Sequence, residues 1–153
     1  MRNTIIFLLL SLFAVSCGKD KYTTAPQIEF KSLKPDRVPS NVIIGSPNIP
    51  VLTLTVTDKE GDLGFKTGTD TSYLYIRHVL LNRLDSFYLP DIQSVATSNF
   101  QSDIIIDMFD VLRPGPRTNR PRVDTLIYEM YVVDFAKNKS NVITSAPLYY
   151  EVQ

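Results

Sequence analysis

The sequence predicts an all-β protein, folded as a β-sandwich of about seven strands. From residue 27 onward the apolar residues recur with period two, and helical periodicity is almost absent. Clusters of Gly, Pro, Asn and Asp separate the apolar segments, as turns do between short strands. A small barrel is the alternative architecture. The ten prolines, most of them in the connections, favour a sandwich with protected edges.

The strand pattern recurs along the whole of this region. It covers residues 27–33, 49–57, 73–81, 85–89, 103–111, 124–135 and 142–152. The second of these segments alternates most clearly, because Leu52, Leu54 and Val56 face one way and the threonines between them face the other. Pro90 ends the fourth segment, and Pro147 predicts an edge strand or a bulge in the last.

The N-terminus predicts a lipoprotein signal peptide. Arg2 precedes an apolar run at residues 5–15 that only Ser11 interrupts. Eleven residues of helix span about 16 Å, roughly half of a bilayer's hydrocarbon core. The run is thus too short for a membrane span and has the length of a signal-peptide apolar region. The junction resembles a bacterial lipoprotein box, in which the cysteine becomes the lipidated first residue: Ala14-Val15-Ser16-Cys17.

This resemblance divides the chain into a signal peptide at 1–16, lipidated Cys17 with a flexible tether to residue 26, and a sandwich domain at 27–153. Acyl chains such as palmitate contribute about 0.8 kcal/mol per buried methylene, so they anchor the protein without a transmembrane segment. Lys19-Asp20 resembles part of the surface-export signal of Bacteroides-group lipoproteins, although Lys21 stands where a second acid belongs. We expect the protein to be anchored in the outer membrane, and the sequence does not decide between its periplasmic and its surface face.

Composition excludes several function classes. Sixteen Lys and Arg residues balance sixteen Asp and Glu residues, and loss of Arg2 with the signal peptide leaves a charge of −1. No basic excess is present to support nucleic-acid binding. One Cys excludes an internal disulfide, and one Cys with one His excludes the usual zinc sets. The single histidine, His78, lies in mid-strand without a nucleophile-elbow motif, so we expect no enzyme.

Two motifs that follow predicted strands carry a further resemblance. They are Asp58-Lys59-Glu60-Gly61-Asp62-Leu63-Gly64 and Asp134-Phe135-Ala136-Lys137-Asn138-Lys139-Ser140-Asn141. With the opening Pro26-Gln27-Ile28-Glu29-Phe30, they resemble a group of Bacteroides-type lipoproteins that have one Ig-like domain and no settled function. The resemblance covers most of residues 26–153 and implies an Ig-like or fibronectin-III-like sandwich, without an activity. Lys137 replaces the group's usual glycine, which argues against a tight left-handed turn there.

Turn chemistry alone explains the first motif. Gly61 and Gly64 permit positive φ, and the side chains of Asp58 and Asp62 are of the type that bonds the backbone two residues further on. This interpretation needs no ligand.

A calcium site is the alternative interpretation of the same motif. Asp58, Glu60 and Asp62 place hard oxygen donors at alternate positions, although the spacing is not that of an EF-hand. If residues 49–57 and 126–134 are strands B and F of an Ig-like sandwich, the loops that follow them lie at the same end. Asp134 and Asn138 then join the ligand set. No cofactor is required by the sequence, and Ca²⁺ is the one candidate.

A basic segment at residues 112–122 is a second candidate binding surface. Arg113, Arg117, Arg120 and Arg122 lie there among three prolines. Guanidinium groups at this density are suited to anionic glycan, lipopolysaccharide or an acidic protein surface. The alternative is a solvated loop that the prolines stiffen.

The tyrosines and the remaining features complete the functional prediction. Tyr73, Tyr75, Tyr128 and Tyr131 are expected in the core and in cross-strand pairs rather than in a sugar-stacking platform. The sequence therefore predicts a lipid-anchored, non-catalytic β-sandwich that serves as a binding or structural accessory, with an envelope protein or glycan as partner. The alternative is a surface glycan-binding or adhesin module, stabilised by calcium.

Overall fold

The computed structural model describes residues 20–64, 71–89 and 98–153, and within them the protein is all-β, as predicted. Its strands are β1 (Gln27–Lys34), β2 (Arg37–Pro39), β3 (Val51–Asp58), β4 (Tyr73–His78), β5 (Arg83–Tyr88), β6 (Phe100–Asp107), β7 (Arg122–Leu126), β8 (Tyr128–Val133), β9 (Ile143–Thr144) and β10 (Leu148–Val152). A 3-10 turn at Phe109–Val111 is the single helical element of these residues. The predicted signal peptide, Cys17 and Pro90 lie outside the described residues.

The strands pair into three sheets, ordered β1-β3-β6, β2-β10-β7 and β5-β4-β8-β9. Every strand pair is antiparallel except β2 with β10, which is parallel. β7 leads into β8 across Ile127, and β9 leads into β10 across residues 145–147. The chain therefore passes directly between the second and third sheets twice, and this arrangement is consistent with a β-sandwich.

Within its described residues the structure has ten strands instead of the predicted seven, because the predicted segments 124–135 and 142–152 each divide into two strands and β2 is added. The Ser145 hydroxyl accepts a hydrogen bond from the Tyr128 amide at 3.1 Å, and the Ser145 amide donates to the Tyr128 carbonyl at 2.8 Å. These bonds and Pro147 separate β9 from β10. The proline predicted an edge strand or a bulge, whereas β10 lies between β2 and β7 in its sheet. β2 is not predicted by the sequence, because three residues are too few to show alternation.

The core confirms the alternation of β3. Leu52, Leu54 and Val56 are buried, and they join one cluster of buried side chains from all three sheets. Burial of a large aliphatic side chain contributes about 1.5–3 kcal/mol. Tyr128 of β8 is fully buried among them, and its hydroxyl donates to the Val111 carbonyl at 3.3 Å. The hydrophobic faces of the sheets thus meet in a single core.

The described part of the predicted tether lies against the domain. The Thr57 hydroxyl donates to the Lys21 carbonyl at 3.0 Å, and the Lys59 amide donates to the Thr23 carbonyl at 3.2 Å. Lys21 and Thr23, which were predicted to lie in a flexible tether, are therefore hydrogen-bonded to the end of β3 and to the loop that follows it.

Candidate functional site

Three aspartates converge where β3 and β8 end. Asp58 is the last residue of β3, Asp62 lies in the loop after it, and Asp134 follows β8 directly. The Phe135 amide donates to the Asp62 carbonyl at 3.0 Å and ties the two loops together. One carboxylate oxygen from each aspartate lies within 4.8 Å of the other two. We call these three residues the acidic cluster.

The carboxylates of the acidic cluster are poorly compensated. Asp58 and Asp134 are fully buried, and Asp62 is half-buried. Oδ2 of Asp58 accepts hydrogen bonds from the amides of Gly61 at 2.6 Å and Asp62 at 3.2 Å. Oδ1 of Asp58 and Oδ1 of Asp62 are buried and have no hydrogen-bond partner among the described residues. Turn chemistry thus accounts for one oxygen of Asp58 and leaves the other unexplained.

The turn after β8 holds Asp134 from both sides. Its Oδ1 accepts from the Asn138 amide at 2.7 Å, and its Oδ2 accepts from the Asn138 side-chain nitrogen at 2.9 Å. Lys137 has φ of +70° and closes the turn. The expectation that Lys137 argues against a left-handed turn is therefore wrong. A left-handed residue costs roughly 1–2 kcal/mol, and the two hydrogen bonds to Asp134 offset that cost.

The pKa values report the charge imbalance. Burial, reinforced by the neighbouring Asp62 carboxylate, raises the pKa of Asp58 to about 6. Burial also raises the pKa of Asp134, although the hydrogen bonds from Asn138 oppose the change. Within the described part of the chain, no lysine or arginine forms an ion pair with the cluster. The arrangement therefore favours an added positive charge.

The other two predicted calcium ligands occupy different positions. Glu60 is exposed, and its Oε1 accepts a hydrogen bond from the Thr24 hydroxyl at 3.2 Å. Glu60 thus contacts the N-terminal segment, and the cluster does not include it. Asn138 orients Asp134 through its side-chain nitrogen, so in this geometry it supports a carboxylate.

The predicted basic segment is organised around one buried acid. Asp124 of β7 has a side chain only 1% exposed. Its oxygens accept from Arg117 Nη2 at 2.7 Å, from Arg122 Nε at 3.1 Å and from the Gly115 amide at 2.8 Å. Burial opposes ionisation of Asp124, but the bonds from Arg122 and Arg117 outweigh it and lower the pKa of this carboxyl. We call residues 112–122 with Asp124 the basic loop.

The four arginines of the basic loop differ in how far their guanidinium groups are exposed and free to bind an external anion. The Arg122 side chain is 6% exposed and also donates to the Asn119 carbonyl, so its guanidinium stabilises the loop and is not accessible to an external ligand. Arg113 donates to its neighbour's carbonyl at 2.8 Å, and Arg120 donates to the Gln153 carbonyl at 3.0 Å. Arg117 keeps 59% of its side chain exposed while it pairs with Asp124.

Four tyrosines form a row across the four-stranded sheet. The ring centroids of Tyr75 and Tyr131 lie 4.8 Å apart and stacked, those of Tyr73 and Tyr75 lie 5.9 Å apart, and those of Tyr73 and Tyr88 lie 5.1 Å apart. Tyr88 is 68% exposed, and the other three are half-buried. The predicted cross-strand pairing of tyrosines is confirmed. The four tyrosines named by the sequence were also expected in the core, but only Tyr128 lies there. We call these four residues the tyrosine row.

His78 is a structural residue. It is buried, its ring lies edge-on to Tyr128 at 5.3 Å, and burial lowers its pKa. The Leu81 amide donates to Nδ1 at 3.3 Å, and Nε2 lies 3.3 Å from the Arg113 carbonyl. Both ring nitrogens are therefore engaged with backbone groups.

Sequence reasoning missed two residues of these surfaces. Asp124 stands two positions after Arg122, so both side chains lie on one face of β7, and that spacing is a usable signal for an ion pair. Tyr88 lies opposite Tyr73 in the pairing of β4 and β5. Its place in the row depends on a strand register that the sequence does not display.

The fold and these surfaces define an all-β protein with a buried three-aspartate cluster, a basic loop and an outward tyrosine row. Comparison of the chain with family models, curated proteins and solved structures finds no match. In the part of the chain that the structure describes, no helix is long and apolar enough to cross a membrane.

Proposed function

We propose that the protein is a lipid-anchored, non-catalytic accessory of the outer membrane, whose Ig-like sandwich binds another envelope protein through the tyrosine row. The strand order supports the Ig-like assignment. Under this assignment, β1-β3-β6 takes the order of strands A, B and E, and β5-β4-β8-β9 takes the order of strands C′, C, F and G. The lipid anchor rests on the lipoprotein box that ends at Cys17.

The outward tyrosine row is the observation that carries this proposal. Tyrosine is enriched at the centres of protein interfaces, because its ring is apolar and its hydroxyl forms hydrogen bonds. Tyr75 and Tyr131 stack on each other at 15°, and Lys139 Nζ lies 3.8 Å from the centre of the Tyr131 ring. These ring faces are already covered, so they suit a protein surface better than a sugar ring.

Two further observations support a binding role without catalysis. The single histidine, His78, is buried with both ring nitrogens facing backbone groups, so it is not placed to act as a general base. Asp124, the buried acid of the basic loop, is held ionised by two arginines, which does not suit proton transfer at neutral pH.

An anionic-glycan module is the second candidate function. Arg117 keeps 59% of its side chain exposed, and Arg120 beside it is also exposed. Guanidinium groups bind carboxylate and sulfate groups of glycans in a bidentate manner. This candidate uses the basic loop instead of the tyrosine row, so the two functions are separable by mutation.

Photo-crosslinking in cells tests the contact surface. A photoreactive residue replaces Tyr88 in the full chain, and Tyr149, 37% exposed on β10, is the matched control position. We expect one envelope protein to crosslink from position 88 and not from position 149. With that partner purified, Tyr88→Ser weakens binding about ten-fold, whereas Tyr149→Ser leaves it unchanged.

Two results would contradict the protein-binding proposal. One is an equal crosslinking pattern from both positions. The other is binding to anionic glycans that a double Arg117→Gln, Arg120→Gln variant abolishes while Tyr88→Ser has no effect. The second result would instead establish the glycan module.

A further inference from the structure

We propose that the acidic cluster is a calcium site, in which Asp58, Asp62 and Asp134 each supply a carboxylate oxygen to one Ca²⁺ ion. The site goes beyond the proposed function and does not depend on the tyrosine row or on the lipid anchor. Its basis is the convergence of three carboxylates within 4.8 Å at the joined ends of β3 and β8.

The orphaned oxygen of Asp58 is the independent observation that points to a ligand. Asp58 is 0% exposed, and its Oδ1 has no hydrogen-bond partner among the residues that the structure describes. A buried polar atom without a partner costs free energy, and native structures rarely tolerate one without a bound water or ion. Oδ1 of Asp62 is in the same condition. Both unpartnered oxygens are acceptors of one three-carboxylate cluster, so a single bound cation would satisfy both of them.

The remaining polar atoms hold the carboxylates in place. The amides of Gly61 and Asp62 bind Oδ2 of Asp58, so its free oxygen is fixed in direction. Asn138 binds both oxygens of Asp134. Such donors around a metal site orient its ligands before the ion arrives, and each carboxylate oxygen keeps a second lone pair for coordination.

The chemistry of the donors selects calcium. The donor set consists of carboxylate oxygens, which hard cations prefer over the softer transition metals. The ligand oxygens of Ca²⁺ lie about 2.3–2.6 Å from the ion, so oxygens within 4.8 Å of one another can share one such ion. Mg²⁺ demands a shorter and more nearly octahedral arrangement. Three carboxylates also compensate the charge of a divalent ion.

Occupancy of the site has a mechanical consequence. The Asp62 carbonyl already binds the Phe135 amide, and an ion adds a second connection between the loop after β3 and the turn after β8. The neighbouring Lys59 amide holds Thr23 of the N-terminal segment. The ion therefore stiffens the loop after β3, to which the N-terminal segment at Thr23 is hydrogen-bonded.

Thermal unfolding of the full chain in nonionic detergent tests the site. We expect Ca²⁺ at about 100 times its Kd to raise the Tm by roughly 8 °C over the value in EDTA. Calorimetric titration is expected to give one ion per chain. Mg²⁺ at the same concentration produces a much smaller shift.

Isosteric variants locate the ion. Asp62 is half-buried, so Asp62→Asn is expected to fold and to lose the calcium shift. Asp134→Asn provides a second variant with the same expected loss. Glu60→Gln is the matched control, since Glu60 lies in the same loop but outside the cluster, and it keeps the full shift.

Three outcomes would overturn the proposal. The first is a Tm that does not change at 10-fold steps of Ca²⁺ up to roughly 10 mM, about ten times the Kd of the weakest protein calcium sites. The second is a calcium shift that Asp62→Asn and Glu60→Gln share equally. The third is a Mg²⁺ shift as large as that of Ca²⁺. Circular dichroism in EDTA verifies that each variant is folded before its calcium response is scored.

Discussion

Two buried aspartates of this protein, Asp124 and Asp58, have opposite electrostatic surroundings. Asp124 receives hydrogen bonds from two arginines and one backbone amide, and its pKa lies below the ordinary value. Asp58 receives two backbone amides on one oxygen, faces two further acids, and has a pKa raised to about 6. The comparison shows that burial alone does not define the role of a carboxylate. The decisive feature is whether the chain itself supplies the counter-charge.

The substitution with the largest expected effect on the free energy of unfolding is at Asp124. Asp124→Asn leaves the guanidinium of Arg122, whose side chain is 6% exposed, without its carboxylate. An uncompensated buried charge is strongly destabilising, so we expect a loss of about 3 kcal/mol in the free energy of unfolding. Urea denaturation measures it.

The control for this prediction is an exposed ion pair. Asp103, with 36% of its side chain exposed, pairs with Lys31 across the first sheet. Asp103→Asn is expected to cost at most about 1 kcal/mol. Equal losses at Asp103 and Asp124 would show that the basic loop is not a specially compensated site.

The contribution of Asp124 to the free energy of unfolding depends on pH. Because the arginines lower the pKa of Asp124 in the folded state, its contribution is fully present above the ordinary value of 3.8 and is lost as the pH falls through the lower, folded value. The stability difference between the wild type and Asp124→Asn should therefore stay constant from pH 7 to about pH 5 and shrink toward pH 2. A difference that grows on acidification would refute the assigned ion pairs.

The smallest expected effect is at Lys137, in the turn that holds Asp134. Lys137 has φ of +70°, a conformation that glycine adopts without steric cost. Lys137→Gly should stabilise the domain by about 1 kcal/mol. Lys137→Ala removes the same side chain but keeps the strain, so it serves as the control with no gain. Thermal unfolding in EDTA compares the two, and equal Tm values would contradict the strained turn.

The strands were largely predictable, because their alternation records burial on one face. Leu52, Leu54 and Val56 of β3 are buried as the period-two pattern requires. β2 was not predictable, since its three residues show no alternation and its partner is β10, near the other end of the chain. The break at Ser145 depends on side-chain hydrogen bonds to Tyr128 that no local pattern reveals.

The acidic cluster was predictable in part. Asp58 ends β3, Asp62 lies in the loop after it and Asp134 follows β8, so the topology that brings these strand ends together also brings the three carboxylates together. Glu60 was predicted with them but lies outside, because the chain turns at Gly61, where φ is +68°. Alternate spacing in a loop does not place side chains on one side as it does in a strand.

The sequence did not show that one arginine of the basic loop is buried in an ion pair. Four arginines among prolines suggested an outward binding surface, yet Arg122 is largely buried and bound to Asp124. The pairing depends on the burial of Asp124 in β7, which is a tertiary property. Arg117 and Arg120 alone keep the exposure that an external anion requires.

The most direct test compares the free energies of unfolding of Asp58→Asn and Asp124→Asn in EDTA at pH 7. We expect opposite signs: Asp124→Asn loses about 3 kcal/mol, whereas Asp58→Asn gains roughly 2 kcal/mol, because it removes a buried charge that no ion compensates. Addition of Ca²⁺ should then stabilise the wild type and leave Asp58→Asn unchanged. Destabilisation by both substitutions in EDTA would contradict the claim that only one of the two aspartates is compensated by the chain itself.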